Sequence, residues 1–115
     1  MILLLSSDLM FQSRISSTAR SANKTCLTER SVAKLIERVS EPNAVSMILI
    51  DLTLRTIDLA LEIPQIKNAF PDGKILAFGP HVDVERLQAA EDAGADLVLT
   101  RGQMDRDLVA ILQGT

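Results

Sequence analysis

Five short apolar runs in the chain are each followed at once by polar or charged residues. Ser6, Ser7 and Asp8 follow Ile2–Leu5, and Glu29 lies just past the weaker run Thr25–Leu27. Asp51 follows Met47–Ile50, Gly79-Pro80-His81 follows Ile75–Phe78, and Thr100-Arg101-Gly102 follows Leu97–Leu99. If the runs are parallel strands of one sheet, these residues share its carboxyl edge, where open α/β sheets bind ligands. Asp51 and Arg101 are then natural partners. The alternatives for Asp51 are a partly buried acid that accepts N–H groups at its strand end, or an acid that meets a ligand or a transferred group. Asp8 is expected to cap the helix that follows it, where free N–H groups and the positive dipole end favour a carboxylate. A displaced metal ligand is the other reading of Asp8. Ser6 and Ser7 are expected to close the loop by hydrogen bonds, with an anion cradle at the helix start as the alternative. His81 has no identifiable partner for proton transfer and reads as a surface or capping histidine. No nucleophile–base pair can be assembled from these residues, so an enzyme with its own reaction is not expected. G-x-G-x-x-G and G-x-x-x-x-G-K-[ST] are both absent, which argues against a dinucleotide and a P-loop site.

Between the runs, apolar residues recur with helical spacing. Phe11, Ile15 and Ala19 share one face, as do Val32, Leu35, Ile36 and Val39. Leu59, Ile63, Ile66 and Phe70 mark a third helix, which Pro64 is expected to kink or split. Val84, Leu87 and Ala90 mark a fourth, with Asp83 as N-cap and Gly94 past its end. Met104, Leu108, Ile111 and Leu112 mark a fifth, ending by Gly114. Glu85, Arg86, Glu91 and Asp92 are assigned to a charged outer face of the fourth helix. Strand–helix alternation repeated five times predicts a three-layer α/β/α sandwich, because helices must cover both faces of a parallel sheet. Right-handed crossovers leave the flavodoxin-like strand order 2-1-3-4-5 as the common solution.

The chain has 115 residues, which predicts one domain over 1–115. Its net charge of −3 and three aromatic residues, all Phe, argue against a nucleic-acid groove. The single cysteine, Cys26, excludes an intrachain disulfide and reads as a small buried apolar residue. One His and one Cys leave no zinc-type site. Met104 reads as core rather than as a sulfur ligand. The apolar start Ile2–Leu5 is too short for a signal or a membrane span, so a cytoplasmic protein is expected.

Several of these residues carry a family resemblance. Ile48-Leu49-Ile50-Asp51 and Ala93-Gly94-Ala95-Asp96-Leu97-Val98-Leu99-Thr100-Arg101 resemble segments of the receiver domain of two-component response regulators, the CheY-like fold. Phe11 suits the apolar position opening the first helix, and the intervals Ser7–Asp51 and Gly79–Arg101 fit as well. The resemblance covers essentially the whole chain. It implies that Asp51 stands where the phosphoacceptor should and that Arg101 stands at the family's lysine. It also shows departures. The acidic pair reads Ser6-Ser7, the strand-4 Thr/Ser reads Gly79, the proline after the lysine reads Gly102, and the strand-5 aromatic reads Val98.

These departures imply a degenerate receiver. Magnesium prefers carboxylates, and two of the three expected are replaced by neutral hydroxyls. Arg101 grips a phosphoryl or carboxylate group bidentately, yet only partly substitutes for a metal. No cofactor is therefore expected, with Mg2+ required only if the receiver is active and Asp51 and Asp8 as its weak candidate ligands. The function expected is a stand-alone pseudo-receiver that binds a signalling partner, a histidine kinase or an output protein, through helix 4, strand 5 and helix 5. A homodimer through the same face is a further possibility. The alternatives are a working receiver phosphorylated on Asp51, with Asp8 or Glu29 helping the metal, and an anion or small-ligand binder built from Ser6, Ser7, Asp8 and Arg101.

Overall fold

A computed structural model describes residues 1–114. Its elements alternate as β1 (Ile2–Leu5), α1 (Leu9–Ser21), β2 (Cys26–Glu29), α2 (Val32–Arg38), β3 (Met47–Asp51), α3 (Leu59–Ala69), β4 (Lys74–Gly79), α4 (Val84–Ala93), β5 (Leu97–Thr100) and α5 (Arg101–Gln113). A short 3-10 turn, Pro42–Ala44, precedes β3. The five strands are all parallel and lie in the order β2-β1-β3-β4-β5. This is the flavodoxin-like α/β/α arrangement that the alternation predicts.

Strand parity sorts the apolar side chains into two cores, because successive residues of a strand point to opposite faces. Leu3, Leu5, Ile48, Ile50, Ile75 and Ala77 face the layer of α2, α3 and α4. Ile2, Leu4, Met47, Leu49, Leu76 and Phe78 face α1 and α5. Strands β1 and β3 are buried along their whole length, as continuous apolar runs in a covered parallel sheet should be. Phe11, Ile15 and Ala19 of α1, and Met104, Leu108 and Leu112 of α5, complete the second core. No helix among the described residues is long and apolar enough to cross a membrane.

Three helical expectations need correction. Helix α3 runs unbroken through Pro64. Pro64 and Ala60 both lie on the exposed face, so the carbonyl left without its N–H partner meets water. Leu59, Ile63 and Ile66 anchor the helix in the core on both sides of the proline. In α4, Val84 faces solvent and only Ala90 is fully buried. In α2, Ile36 lies at the exposed margin, while Val32, Leu35 and Val39 are buried. Strand β2 continues two residues past Leu27, through Thr28 to Glu29. Gly94 ends α4 with φ +107°, a left-handed conformation that favours glycine.

Candidate functional site

The register of β1 on β3 decides what meets Asp51. Leu4 pairs with Leu49 and Leu5 with Ile50, so the next pair outward is Ser6 with Asp51. Two residues beyond Leu4 and Leu49 respectively, both point toward the α1/α5 side. Both are also buried, and they are the only buried polar or charged residues among those described. Ser6 Oγ donates to Asp51 Oδ2 at 2.8 Å. The other oxygen, Oδ1, accepts from the Thr53 backbone N–H at 3.0 Å and from Thr53 Oγ1 at 2.7 Å. The N–H bond from two residues on is an Asx turn, which a strand-terminal Asp makes with its own chain. Thus the carboxylate is satisfied by two hydroxyls and one backbone donor.

The start of α1 completes this cluster. Asp8 caps the helix, its Oδ1 accepting from Phe11 N–H at 3.1 Å. The Asp8 backbone N–H donates to Ser6 Oγ at 3.1 Å, and Gln12 Nε2 donates to the Ser6 carbonyl at 3.0 Å. Ser6 therefore closes the loop as expected, whereas Ser7 is exposed.

Arg101 does not pair with Asp51, and that expectation is corrected. Thr100 caps α5 in a reciprocal capping box with Gln103, so Arg101 is already the first helical residue. From there its guanidinium lies 4.0 Å over the Phe11 ring. It is flanked by Asp105 at 3.3 Å and Asp8 at 3.7 Å. Arg14 also reaches Asp105, so these charges tie α1 to α5.

Gly79 sits opposite Thr100 at the end of β4. A Cβ built there would stand 3.0 Å from Leu52 Cβ and 3.4 Å from Leu52 Cδ1. A side chain at this position is directed at Leu52, in the α2/α3/α4 core. Leu52 cannot give way easily, since its N–H donates to the Phe78 carbonyl at 2.8 Å. Gly79→Thr is therefore expected to lower stability by about 1–3 kcal/mol through overpacking. A urea midpoint unchanged or raised in that variant would contradict this packing.

Two residues in this region escape a reading of the sequence. Thr53 is one, although the pattern Asp-x-Thr is a recognisable turn signal. The other is Arg86, assigned above to a solvated face. Its guanidinium instead donates to the carbonyls of Leu52 (3.1 Å), Leu54 (3.0 Å) and Ile57 (3.1 Å). Burial, then the neighbouring Arg55, push its pKa below the ordinary value, and Asp83 and Asp58 oppose them. Asp83 precedes α4 as its cap residue but makes no side-chain cap bond, because its carboxylate pairs with Arg55. The loop after Asp51 is thereby strapped to α4 twice. His81 is exposed, and Met104 is buried in the core. Cys26 is only half-buried, and burial raises its thiol pKa. No group of three or more His, Cys, Asp or Glu side chains among the described residues is arranged to hold a metal ion.

No protein-family model and no curated protein sequence matches the chain. Solved structures do match. The receiver domain of the TMAO respiratory system response regulator TorR superposes with a TM-score of 0.80 at 22% identity, covering 98% of this chain and 92% of that one. A response regulator receiver domain protein from Clostridium thermocellum gives 0.77 at 17% identity, over 98% and 90%. The beryllofluoride-activated NtrC4 receiver domain dimer gives 0.74 at 20% identity, over 96% and 91%. With the β2-β1-β3-β4-β5 sheet and a lone carboxylate at the end of β3, the chain has the fold of response-regulator receiver domains.

Proposed function

We propose that the chain is a receiver-like signalling module that acts by protein contacts, without Mg2+-dependent phosphorylation of Asp51. One observation carries this reading: both oxygens of the Asp51 carboxylate are already bonded to neutral donors from Ser6 and Thr53. Magnesium demands an octahedron of oxygen ligands and is usually anchored by carboxylates. Beside Asp51 the nearest side-chain oxygens are hydroxyls. Asp8 is committed to the α1 cap and Arg101, and Glu29 pairs with Arg38. These residues do not fit a resident magnesium ion. Gly79 supplies no hydroxyl to follow a phosphoryl group, and Arg101 is held over Phe11 by two carboxylates.

A working receiver that takes phosphate on Asp51 is the second reading. It draws on the place of Asp51 at the carboxyl edge, at the switch point between β1 and β3. The anion or small-ligand reading is weaker, since Ser6, Asp8 and Arg101 are all engaged with one another or with their own helices. Among the described residues no nucleophile and base are brought together, so the proposal is a binding module rather than an enzyme, with the cytoplasm as its expected place. Its partner surface is proposed as α4, β5 and α5, where Glu85, Glu91 and Asp92 are exposed on α4. A kinase, an output protein or a second copy is a fit there, and the NtrC4 receiver is itself a dimer. Charge at such a face sets partner choice more than affinity.

A magnesium titration followed by backbone amide NMR tests this. The expected result is no saturable shift at Ser6, Asp51 or Thr53 at millimolar Mg2+. A saturable shift abolished by Asp51→Asn would restore the working-receiver reading.

A further inference from the structure

At the amino edge of the sheet, away from Asp51, a cavity of about 390 Å3 opens between the starts of β3, β4 and β5 and the last turn of α5. Met47 lines it and stands four residues before Asp51 on β3, or about 13 Å at the rise of a strand. Met47 and Leu76 are buried and form the floor, while Leu97 and Ile111 form walls that stay partly open. The gap has its cause in α5. Ala110 and Gly114 lie four residues apart, so they share a face that carries nothing larger than a methyl group. Lys74 is the one charged residue of the lining among the described residues. Strand parity aims it toward the α1/α5 side, with Leu76 and Phe78. The nearby Asp96 is turned to the other layer, where it pairs with Lys67 and accepts from the Ile75 N–H. Lys74 is exposed and forms no ion pair among the described residues. At the end of α5, Lys24 Nζ donates to the carbonyls of Leu112 (2.7 Å) and Gln113 (3.3 Å), which offsets the negative end of that helix.

We infer that this cavity binds a small amphipathic carboxylate, with its aliphatic or aromatic body on Met47, Leu76, Leu97 and Ile111 and its charged head at Lys74. The volume falls within the ~300–1,000 Å3 of pockets that take small molecules, and an apolar lining with one placed polar group is the usual make-up of such pockets. An occupant of this kind would cover Leu97, which is 39% exposed. Charge complementarity selects an anion, since the unpaired ammonium lies on a chain whose net charge is −3. A single ammonium is a point charge and lacks the guanidinium fork that grips phosphate, so it matches a head of one negative charge. The site lies at the opposite edge of the sheet from Asp51 and draws on none of the residues around it.

The test titrates the full chain with octanoate and with phenylbutyrate, one aliphatic and one aromatic probe, and with octanol as an uncharged body. Backbone amide NMR follows each titration. The expected result is a shift centred on the amides of Met47, Leu76 and Leu97 that saturates in the low millimolar range with at least one of the two carboxylates. Lys74→Glu should weaken that carboxylate at least fivefold and leave octanol within twofold. Ala110→Leu fills the cavity and should abolish binding of all three. Lys74 and Ala110 are exposed, Leu is a good helix former, and circular dichroism checks that both variants fold. Three results overturn the inference: no saturable shift with either carboxylate, shifts centred away from these strand starts, and carboxylate affinity unchanged in Lys74→Glu. Phosphorylation of Asp51 would overturn the proposed function while leaving these outcomes unchanged, so the two failures are separable.

Discussion

Phe78→Ala is expected to cost about 3–5 kcal/mol of folding stability, the range for deleting a fully buried aromatic side chain. Phe78 lies on β4 opposite Asp51 and has no exposed surface. Its ring meets that of Phe11, with centroids 4.9 Å apart and planes tilted by 48°. Arg101 covers the other partner of this pair, so the stack links β4 to the starts of α1 and α5. Alanine would leave a cavity in the middle of the α1/α5 core, and the surrounding strands, paired on both sides, cannot collapse into it. Leu97→Ala, at a half-exposed edge position, is the control and should cost under about 1.5 kcal/mol. Urea unfolding of both variants checks the ordering. Equal losses would mean that the second core is not organised around Phe78.

The second large effect concerns Arg86. Its three bonds hold the carbonyls of Leu52, Leu54 and Ile57, whose side chains are buried in the α2/α3/α4 core. Arg86→Met keeps much of the aliphatic stem and removes every donor. The expected loss is about 2 kcal/mol, since hydrogen bonds from a charged group are stronger than neutral ones and water replaces part of what is lost here. Arg86→Lys should recover less than half of it, because an ammonium is a point donor and cannot span three carbonyls as a planar fork does. Hydrogen exchange gives the local signature. Amides of residues 52–58 and of the first turns of α4 should lose protection in Arg86→Met, while β1 and β2 amides fall only with global stability. Uniform change across the sheet would show that the strap does nothing local.

Much of the fold is legible because strand parity and helix spacing depend on local sequence. Ile2–Leu5 and Met47–Ile50 are apolar at every position, and only a strand covered on both faces uses such a run. Phe11, Ile15 and Ala19 show the helical period directly. The site was less legible for physical reasons that differ by residue. The meeting of Ser6 with Asp51 depends on the register of β1 on β3, which neither strand encodes alone. Arg101 is kept from Asp51 by the Thr100–Gln103 capping box, which fixes it as the first helical residue. Gln103 is the sign that could have shown this, standing three residues after Thr100 as a capping box requires. Arg86 has no comparable sign. It shares its helix with Glu85, Glu91 and Asp92, and only the tertiary approach of the 52–58 loop separates it from them. The break expected at Pro64 rests on the intrinsic cost of proline in a helix, which exposure to water reduces.

Asp51 is proposed as a hydrogen-bonded anchor rather than a phosphate acceptor. Intact-protein mass after incubation with a small phosphodonor and Mg2+, with Asp51→Asn alongside, tests it most directly. The expected result is an unmodified mass for both proteins, with the wild type folded throughout. A phosphoryl adduct on the wild type that is missing from Asp51→Asn would contradict it. Ser6 and Thr53 would then have to release the carboxylate for chemistry.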